Sequence, residues 1–332
     1  MDIIEKANNI YLDNFPNKTC FERAIFFSWY CSIRDCTFCY MSTQNKQFNP
    51  DKIPRRTTES ILAEVFLSKK LGWDLGFFSG GINAYTNKEF LDVVKKVNYV
   101  YNDKIWVNVG PLSKKELISL KPYIKGVVGS IETINPKIHS KVCPSKPMKP
   151  YEKMYVDSLS LNLKTSLTII LGLGETINDF NLLKEFIKKY KISKVHFYGL
   201  NPHKGTLFEN SLPPSMEYQA EWIARTRLEF PKIDIQLGIW LDRVDRVSLL
   251  LNSGANSISK FPATSKFGSK EAYEIERQAK LAGREFQGTL TKLPDIDWDK
   301  EVDKLTELDK DLRERIKIKL HQYIKTMAKK KV

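Results

Sequence analysis

Short apolar segments alternate with amphipathic segments along most of the chain. Apolar runs ending in polar or glycine residues occupy 24–29, 75–81, 105–110, 126–132, 165–175, 195–202, 233–241 and 257–263. A helical pattern follows each run, as at 57–72, which has Thr57 as a candidate cap and Gly72 as a terminator. The runs are continuously apolar, which is typical of parallel strands covered by helices.

The repeated strand–helix unit predicts an α/β fold. Eight such units in about 260 residues fit a closed (β/α)8 barrel of the TIM type. A doubly wound open sheet is the alternative. For the barrel we expect three parts, an N-terminal extension (1–21), the barrel (22–290) and a C-terminal extension with a basic helix (291–332). Functional groups of such barrels lie at the C-terminal ends of the strands.

The first of these strand ends carries most of the cysteines. The segment YCSIRDCTFCY, residues 30–40, contains Cys31, Cys36 and Cys39, three of the five cysteines in the chain. Three thiolates in a short loop can hold zinc or an iron–sulfur cluster. Structural zinc usually takes four protein ligands, often as two C-x2-C pairs, and the sequence has no second pair. Three ligands would leave one iron of a cluster open to a small molecule.

Composition and charge narrow the class of protein. No apolar run approaches the roughly 18–20 residues that a membrane span needs, and the N-terminus lacks an apolar signal region, so we expect a cytoplasmic protein with no membrane partner. The net charge is +14, and residues 313–332 supply a surplus of seven positive charges. No nucleic-acid motif accompanies this tail, so we interpret it as a solvated amphipathic helix rather than as a nucleic-acid surface.

The cysteine loop, in its place after the first strand, resembles the C-x3-C-x2-C signature of radical S-adenosylmethionine (radical SAM) enzymes. The loop here is C-x4-C-x2-C, and Phe38 occupies the position before the third cysteine that is usually aromatic in that family. The resemblance implies that Cys31, Cys36 and Cys39 hold a 4Fe–4S cluster whose fourth iron is open to SAM. It also implies reductive cleavage of SAM to a 5′-deoxyadenosyl radical, while the barrel excludes water.

Other strand ends resemble the SAM-binding elements of the same family. Ser79, Gly80 and Gly81 are similar to the Gly-Gly-Glu-like motif that contacts the methionine amino group, although Ile82 stands where an acid is usual. Glu132 matches a ribose- and methionine-binding position of the biotin-synthase-like branch. The segment 198–206 resembles the sixth-strand region of that branch. The residues we expect near adenine are Phe38, Leu200 and Asn201.

Polar side chains that would point inward from the later strands are candidate substrate contacts. The candidates are Asn108, Ser130, Tyr198, Trp240 and Lys260. Each is also a group that a barrel core can satisfy internally, and this alternative stays open. The same ambiguity applies to His139, His196 and His203.

The cysteine count and the first gap separate branches of the family. Biotin synthase needs three further cysteines for a second cluster, but only Cys20 and Cys143 remain, so sulfur insertion is not expected. The tRNA methylthiolases likewise have extra cysteines and an RNA domain. First gaps of four or five residues occur in the HmdB group of single-barrel maturases, which build part of the iron-guanylylpyridinol cofactor of a hydrogenase. The chain most resembles that group.

We therefore expect a radical SAM enzyme of iron-guanylylpyridinol biosynthesis that acts on a small-molecule substrate. The resemblance implies a one-electron donor such as ferredoxin or flavodoxin, and other cofactor-maturation proteins are candidate partners. Another biotin-synthase-like enzyme is one alternative, either a methylornithine-synthase-like mutase or a HydE-like maturase. A non-catalytic metal-binding assembly protein is an alternative of another class, and an RNA-modifying enzyme that uses the basic tail is a third.

Overall fold

The computed structural model describes residues 2–43 and 54–329, which form a barrel of parallel strands surrounded by helices. In chain order the strands are β1 (Lys18–Cys20), β2 (Glu22–Ser28), β3 (Asp74–Gly80), β4 (Ile105–Asn108), β5 (Ile124–Glu132), β6 (Lys164–Leu171), β7 (Lys194–Gly199), β8 (Asp234–Gly238), β9 (Ser257–Ser259) and β10 (Glu285–Gln287). The α-helices are α1 (Ile3–Asn14), α2 (Thr58–Lys70), α3 (Asn87–Tyr101), α4 (Lys114–Leu120), α5 (Pro136–Val142), α6 (Lys149–Ser160), α7 (Phe180–Lys189), α8 (Met216–Glu229), α9 (Val247–Asn252), α10 (Lys270–Leu281), α11 (Trp298–Asp303) and α12 (Lys310–Ala328).

Strands β2 to β9 form the barrel wall. Within the described residues they make one eight-stranded sheet, in which strands adjacent in sequence are adjacent in space and every ladder is parallel. The two edges meet, because Phe21, just before β2, forms a parallel bridge with Ile258 of β9. A doubly wound sheet would reverse its strand order in the middle. The predicted TIM-type barrel is confirmed as a nearly closed barrel, and the open-sheet alternative is wrong.

Two short strands lie outside the barrel. β1 pairs in parallel with β10, with Lys18 opposite Glu285, so the chain before the barrel is joined to the chain after α10. Helix α1 packs against α8 and α9. Three-residue strands are too short to produce a recognisable periodicity, which is why the sequence pattern did not predict them. The division into extensions and barrel stays a prediction.

Local sequence accounts for several helix ends. Helix α3 begins with a capping box, in which Thr86 accepts from Glu89 N and the Glu89 carboxylate accepts from Thr86 N. Helix α2 ends before Gly72, whose φ of 70° is left-handed and which lies against Gly288. Thr57 stands at the N-cap of α2, but its side chain makes no capping bond, so the predicted cap is only positional.

The barrel interior is layered from its N-terminal to its C-terminal end. The lowest layer is polar, because Lys194 Nζ lies 2.5 Å from Glu22 Oε1 and 2.9 Å from Asp234 Oδ2. Gln236 donates a hydrogen bond to Glu22 and so extends this polar layer toward the C-terminal end of the barrel. An aromatic layer follows, formed by Phe77, Trp106, Val128 and Tyr198. The functional groups predicted from the sequence lie above it, at the C-terminal ends of the strands.

The basic C-terminal segment forms helix α12, which packs on α2. Leu312, Ile316 and Leu320 are buried, and Tyr323 Oη accepts a hydrogen bond from Arg56 Nη2 at 2.8 Å. This agrees with the interpretation of the tail as an amphipathic helix. No helix in the described parts of the chain is both long and apolar enough to span a membrane.

Candidate functional site

The cysteine loop begins where β2 ends. The Ser28 hydroxyl accepts a hydrogen bond from Tyr30 N at 3.0 Å. Ser32 N donates to Ile82 O at 3.0 Å, which ties the loop to the turn after β3. Arg34, within the first gap, has a φ of 47°, a left-handed conformation that is uncommon outside glycine. The four-residue gap therefore contains one left-handed residue.

The second half of the loop is a tight turn that contains Cys36 and Cys39. Cys39 N donates to Cys36 O at 3.0 Å. Thr37 N donates to Val142 O at 2.9 Å, and Thr37 O accepts from Leu207 N at 2.9 Å. Backbone hydrogen bonds to the end of α5 and to the loop after β7 therefore position both thiols.

A fourth cysteine lies against this turn. Cys143 is buried just after α5, contacts Cys36, and packs in the same apolar group as Phe38 and Leu200. The hydrogen bond with Cys143 lowers the pKa of Cys36, whereas burial raises the pKa of Cys39 to about 11. Cys36 is therefore the more readily ionised of these two thiols, and the thiolate is the form that binds iron.

The three predicted cluster ligands line one cavity without converging on one point. In residues 2–43 and 54–329, no three Cys, His, Asp or Glu side chains are placed to hold a single metal ion. Tetrahedral zinc binding requires that convergence. An iron–sulfur cluster bonds each cysteine to a different iron atom. Separated thiols around an open space therefore fit a three-cysteine 4Fe–4S cluster.

A cavity of ≈ 250 Å³ at the C-terminal ends of the strands brings the predicted site residues together. It is lined by Cys31, Cys36, Phe38, Cys39, Ser79, Gly80, Gly81, Asn108, Ser130, Glu132, Tyr198, Leu200, Asn201, Trp240 and Lys260. These are all the predicted ligands, SAM contacts and substrate contacts. They come from the ends of six of the barrel strands and from the cysteine loop. Their individual roles stay predictions.

The two glycines where β3 ends, Gly80 and Gly81, allow neighbouring parts of the chain to pack closely against this strand. A Cβ on Gly80 would collide with the Phe27 ring, and a Cβ on Gly81 would collide with Tyr30 O. Only glycine therefore allows β3 to approach β2 and the start of the cysteine loop this closely. Ser79 beside them is buried and faces the cavity. Contact with the methionine end of SAM remains a separate prediction for this segment.

The predicted adenine environment forms one wall of the cavity. Phe38 and Leu200 are both buried and belong to one apolar group. Arg243 holds the next segment in place, because its Nη1 donates to Leu200 O at 3.0 Å and its Nη2 to Asn201 Oδ1 at 3.2 Å. The wall is therefore preformed by packing and by one buried guanidinium.

Glu132 lines the cavity, and two neighbouring side chains hold its carboxylate in place. It has a φ of 66°, and Lys146 Nζ lies 2.7 Å from its Oε1. Thr168 Oγ1 donates to its other oxygen at 3.4 Å. Burial lowers the pKa of Lys146, but the Glu132 carboxylate, together with Tyr151, Cys143 and Cys36, raises it by more, so the net shift of the pKa is upward. The cavity wall therefore contains a charged pair whose two charges offset each other.

Most of the candidate substrate contacts have a protein partner for their polar atoms. The hydrogen bonds are Ser130 Oγ to Asn108 Oδ1 (2.8 Å), Tyr198 Oη to Gln236 Oε1 (2.9 Å) and Trp240 Nε1 to Gly199 O (2.9 Å). For Tyr198 and Trp240 these bonds agree with the internally satisfied alternative, although both rings line the cavity. Lys260 differs, because its ammonium faces the rings of Tyr198 and Trp240.

The candidate histidines separate into different environments. His196 lies in the barrel core, where its ring nitrogens bond Gln236 Oε1 at 2.7 Å and a serine hydroxyl of β6 at 2.8 Å. Burial lowers the pKa of His196 to about 3. His139 is buried on α5. His203 lines the cavity and lies beside the Tyr40 ring.

Several residues that line the cavity were not predicted from the sequence, among them Lys146, Tyr151 and Thr168. Thr168 lies two residues before Ile170, which also lines the cavity, because alternate residues of a strand share a face. Lys146 follows α5 in an irregular segment, and no local pattern marks it as a partner of Glu132.

Comparison with known proteins assigns the family. Residues 27–187 match the radical SAM superfamily. An uncharacterised protein of Methanocaldococcus jannaschii is 38% identical over 98% of this chain and 94% of its own length. The biotin synthase of Thermotoga petrophila is 25% identical over 76% of this chain and 81% of its own length. The chain belongs to the radical SAM superfamily, and it is a radical SAM enzyme.

Comparison with solved structures confirms the fold. The crystal structure of methylornithine synthase superposes with a TM-score of 0.73 at 20% identity, and the match covers 85% of this chain and 88% of that protein. Membership of the superfamily implies a 4Fe–4S cluster and SAM, and it implies a small-molecule substrate and an electron donor. Biotin-synthase-like and methylornithine synthase neighbours agree with the predicted branch.

Proposed function

We propose that this enzyme binds a 4Fe–4S cluster through Cys31, Cys36 and Cys39, cleaves SAM reductively, and acts in biosynthesis of the iron-guanylylpyridinol cofactor. The proposed SAM-cleaving activity is supported mainly by one observation. The three cysteines and every predicted SAM contact line one cavity. The site lies at the end of the barrel where such enzymes carry their functional groups.

The residues of the chain have separate tasks in this proposal. Phe38, Leu200 and Asn201 pack against adenine, and the backbone after Ser79 contacts the methionine end of SAM. Glu132 binds the ribose or the methionine amino group, and its pair with Lys146 keeps the carboxylate oriented. A bound, reduced cluster supplies the single electron that cleaves the sulfonium. The apolar walls exclude water from the products of that cleavage.

The length of the first gap supports the assignment to the HmdB group. Within this gap Arg34 adopts a left-handed conformation, and its guanidinium faces the Tyr30 ring at 5.5 Å. Cys20 lies near the opposite end of the barrel, where it contacts Asp74. Cys20 and Cys143 are too few for a second cluster of the biotin synthase kind.

Anaerobic reconstitution tests the activity. We expect the purified chain to take up about four iron atoms, to show a cluster EPR signal that SAM perturbs, and to form 5′-deoxyadenosine when reduced. Cys36→Ala should abolish cluster uptake and cleavage. Cys20→Ala is the matched control, because that cysteine lies outside the cavity, and it should retain both. SAM cleavage by Cys36→Ala would contradict the ligand assignment. A protein that binds iron but leaves SAM intact would instead be the non-catalytic assembly protein.

A second experiment tests the cofactor pathway. In cells that make the cofactor, loss of this protein should abolish guanylylpyridinol in extracts analysed by mass spectrometry. Persistence of the cofactor at the wild-type level would refute this role and leave the other biotin-synthase-like activities. A methylornithine-type mutase is the alternative supported by the similarity to methylornithine synthase. It would regenerate SAM, so 5′-deoxyadenosine would not accumulate in proportion to product.

The expected partners follow from the same proposal. A ferredoxin or flavodoxin supplies the electron, and other cofactor-maturation proteins receive the product. The RNA-modifying alternative predicts salt-sensitive tRNA binding that disappears when residues 313–332 are removed. The apolar residues of α12 face α2, which leaves the charged face of the helix as the surface that such binding would use.

A further inference from the structure

Lys260 has an unusual conformation at the end of β9. Its φ is 70°, the left-handed region that an ordinary L-residue adopts at a cost and that glycine adopts freely. The residue lines the same cavity as the cysteine loop. A strained backbone that presents a long cationic side chain to a cavity indicates a use for that cation.

The ammonium of Lys260 has aromatic rather than anionic neighbours. It lies 4.3 Å from the centroid of the Tyr198 ring and 5.8 Å from that of the Trp240 ring. Within residues 2–43 and 54–329, no carboxylate lies within ion-pair distance of it and its three donors make no hydrogen bond. Lys260 is half-buried, whereas Lys146 and Lys194 are buried lysines of the barrel that are paired with Glu132 and Glu22, respectively.

The acids of the cavity do not supply the missing partner. Glu132 and Cys39 are the acidic groups that face Lys260, and Glu132 already accepts from Lys146. Burial lowers the pKa of Lys260, as expected for a cation with no bonded anion. An ammonium that is partly withdrawn from water gains most from an anion that accepts its hydrogen bonds.

The surroundings of Lys260 define the rest of the ligand. The rings of Tyr198 and Trp240 flank the ammonium, and Phe77 and Ile170 continue this apolar surface below it. The walls therefore suit an apolar body attached to one anionic group.

We propose that the substrate carries a carboxylate that Lys260 binds, and that the apolar body of the substrate packs on the aromatic rings below. This inference rests on the proposed function, because it concerns the substrate of the same cavity. The expected class of substrate, a carboxylate, therefore depends on Lys260 alone. The other candidate contacts, such as Tyr198 and Trp240, already have protein partners for their polar atoms.

Binding of simple carboxylates to the reconstituted enzyme with SAM tests the proposal. Benzoate and hexanoate are the probes, and benzamide and hexanamide are their uncharged counterparts, with binding measured by anaerobic calorimetry. We expect saturable binding of at least one carboxylate and at least about tenfold weaker binding of its amide. Lys260→Met should weaken the carboxylate by about tenfold and leave the amide unchanged. Lys260→Arg should retain most of the affinity.

Two controls keep the outcomes apart. Lys270→Met removes an exposed lysine of α10 and should leave carboxylate binding unchanged. SAM cleavage without substrate, measured for each variant, reports the proposed function separately. Equal carboxylate binding by wild type and Lys260→Met, or no carboxylate binding by wild type, overturns the Lys260 assignment while SAM cleavage persists. Loss of SAM cleavage in wild type would overturn the proposed function itself.

Discussion

At the scale of single residues, the site depends on charges that the protein has removed from water. Lys146 and Glu132 are nearly buried side chains joined by a 2.7 Å contact. A buried ion pair adds little net stability, but removal of one partner leaves the other charge without compensation. The pair therefore acts mainly to hold the Glu132 carboxylate at the cavity wall.

Replacement of one member of this pair should be costly. Lys146→Met is expected to lower the free energy of unfolding of the apo protein by about 3 kcal/mol, because it leaves the Glu132 carboxylate buried and unpaired. The double variant Lys146→Met, Glu132→Gln should recover most of that loss. Urea unfolding under anaerobic conditions measures both values.

An exposed lysine provides the control for this experiment. Lys153 forms an ion pair with Asp157, and 73% of its side chain is exposed. Lys153→Met should change the unfolding free energy by less than about 1 kcal/mol. An effect of Lys146→Met as small as that of Lys153→Met would show that the pair is not buried in solution.

A glutamate outside the cavity shows how the same residue type can serve the fold alone. Glu175 belongs to the segment IILGLGET, which spans the end of β6 and the turn after it. Its carboxylate accepts hydrogen bonds from Gly172 N at 2.6 Å and Leu173 N at 2.9 Å. Glu175 therefore closes the turn after β6, a use that glycine-rich turns with a following acid commonly have.

At the scale of elements, the cysteine loop is positioned by the strand beside it. The turn after β3 accepts from Ser32 N, and Gly81 lies directly against Tyr30 O. Because this contact is between backbones, no side-chain rotation can relieve an added Cβ. The approach of β3 to the loop is thus a condition for the placement of Cys31.

Substitution of Gly81 should therefore disturb the cluster more than the barrel. We expect Gly81→Ala to lower the unfolding free energy by about 1–3 kcal/mol and to reduce the iron bound after reconstitution well below that of wild type. Gly199→Ala is the matched control, because its Cβ would lie 3.2 Å from the Pro214 side chain, a contact that a small shift relieves. Iron and sulfide analysis with thermal unfolding compares the two, and full iron content in Gly81→Ala would contradict this account.

At the scale of the whole molecule, the polar layer connects opposite sides of the barrel. Glu22 of β2 bonds Lys194 of β7, Gln236 of β8 and Ser257 of β9. His196 joins this network through Gln236. Such a network forms only when the strands close into a barrel, so its protonation is coupled to folding.

The burial of His196 makes stability depend on pH. Its pKa of about 3 in the folded state lies below the ordinary value of 6.5, so the unfolded chain binds a proton that the folded chain does not. The contribution of His196 to the free energy of unfolding is therefore fully present above about pH 6.5 and is lost as the pH decreases toward 3. From pH 7 to pH 5 the expected loss is about 2 kcal/mol.

Urea unfolding at pH 7, 6 and 5 measures this dependence. His196→Gln should remove most of the slope, whatever its effect on stability at pH 7. His321→Gln changes an exposed histidine of α12 and should leave the slope unchanged. Equal slopes for wild type and His196→Gln would show that His196 is not the group responsible.

Much of the architecture was predictable because it is encoded locally. Most barrel strands are short apolar runs and most helices are amphipathic segments, and Cys31, Cys36 and Cys39 lie within one loop. The rule that groups at strand ends share one rim then placed Asn108, Tyr198 and the others in a single cavity. The superfamily follows from the same local signals.

The partners inside the cavity were not predictable, because each joins segments that are distant in the chain. Nothing near Cys143 in the sequence marks it as the neighbour of Cys36, and nothing near Lys146 marks it as the partner of Glu132. Likewise, a lysine at a strand end gives no sign of whether an acid will face it. Local sequence was enough to predict the eight strand–helix units, the cysteine loop and the family. Closure of the barrel determines which charges are paired, because pairing depends on distances between strands and not on spacing within one strand. It also leaves the Lys260 ammonium facing aromatic rings.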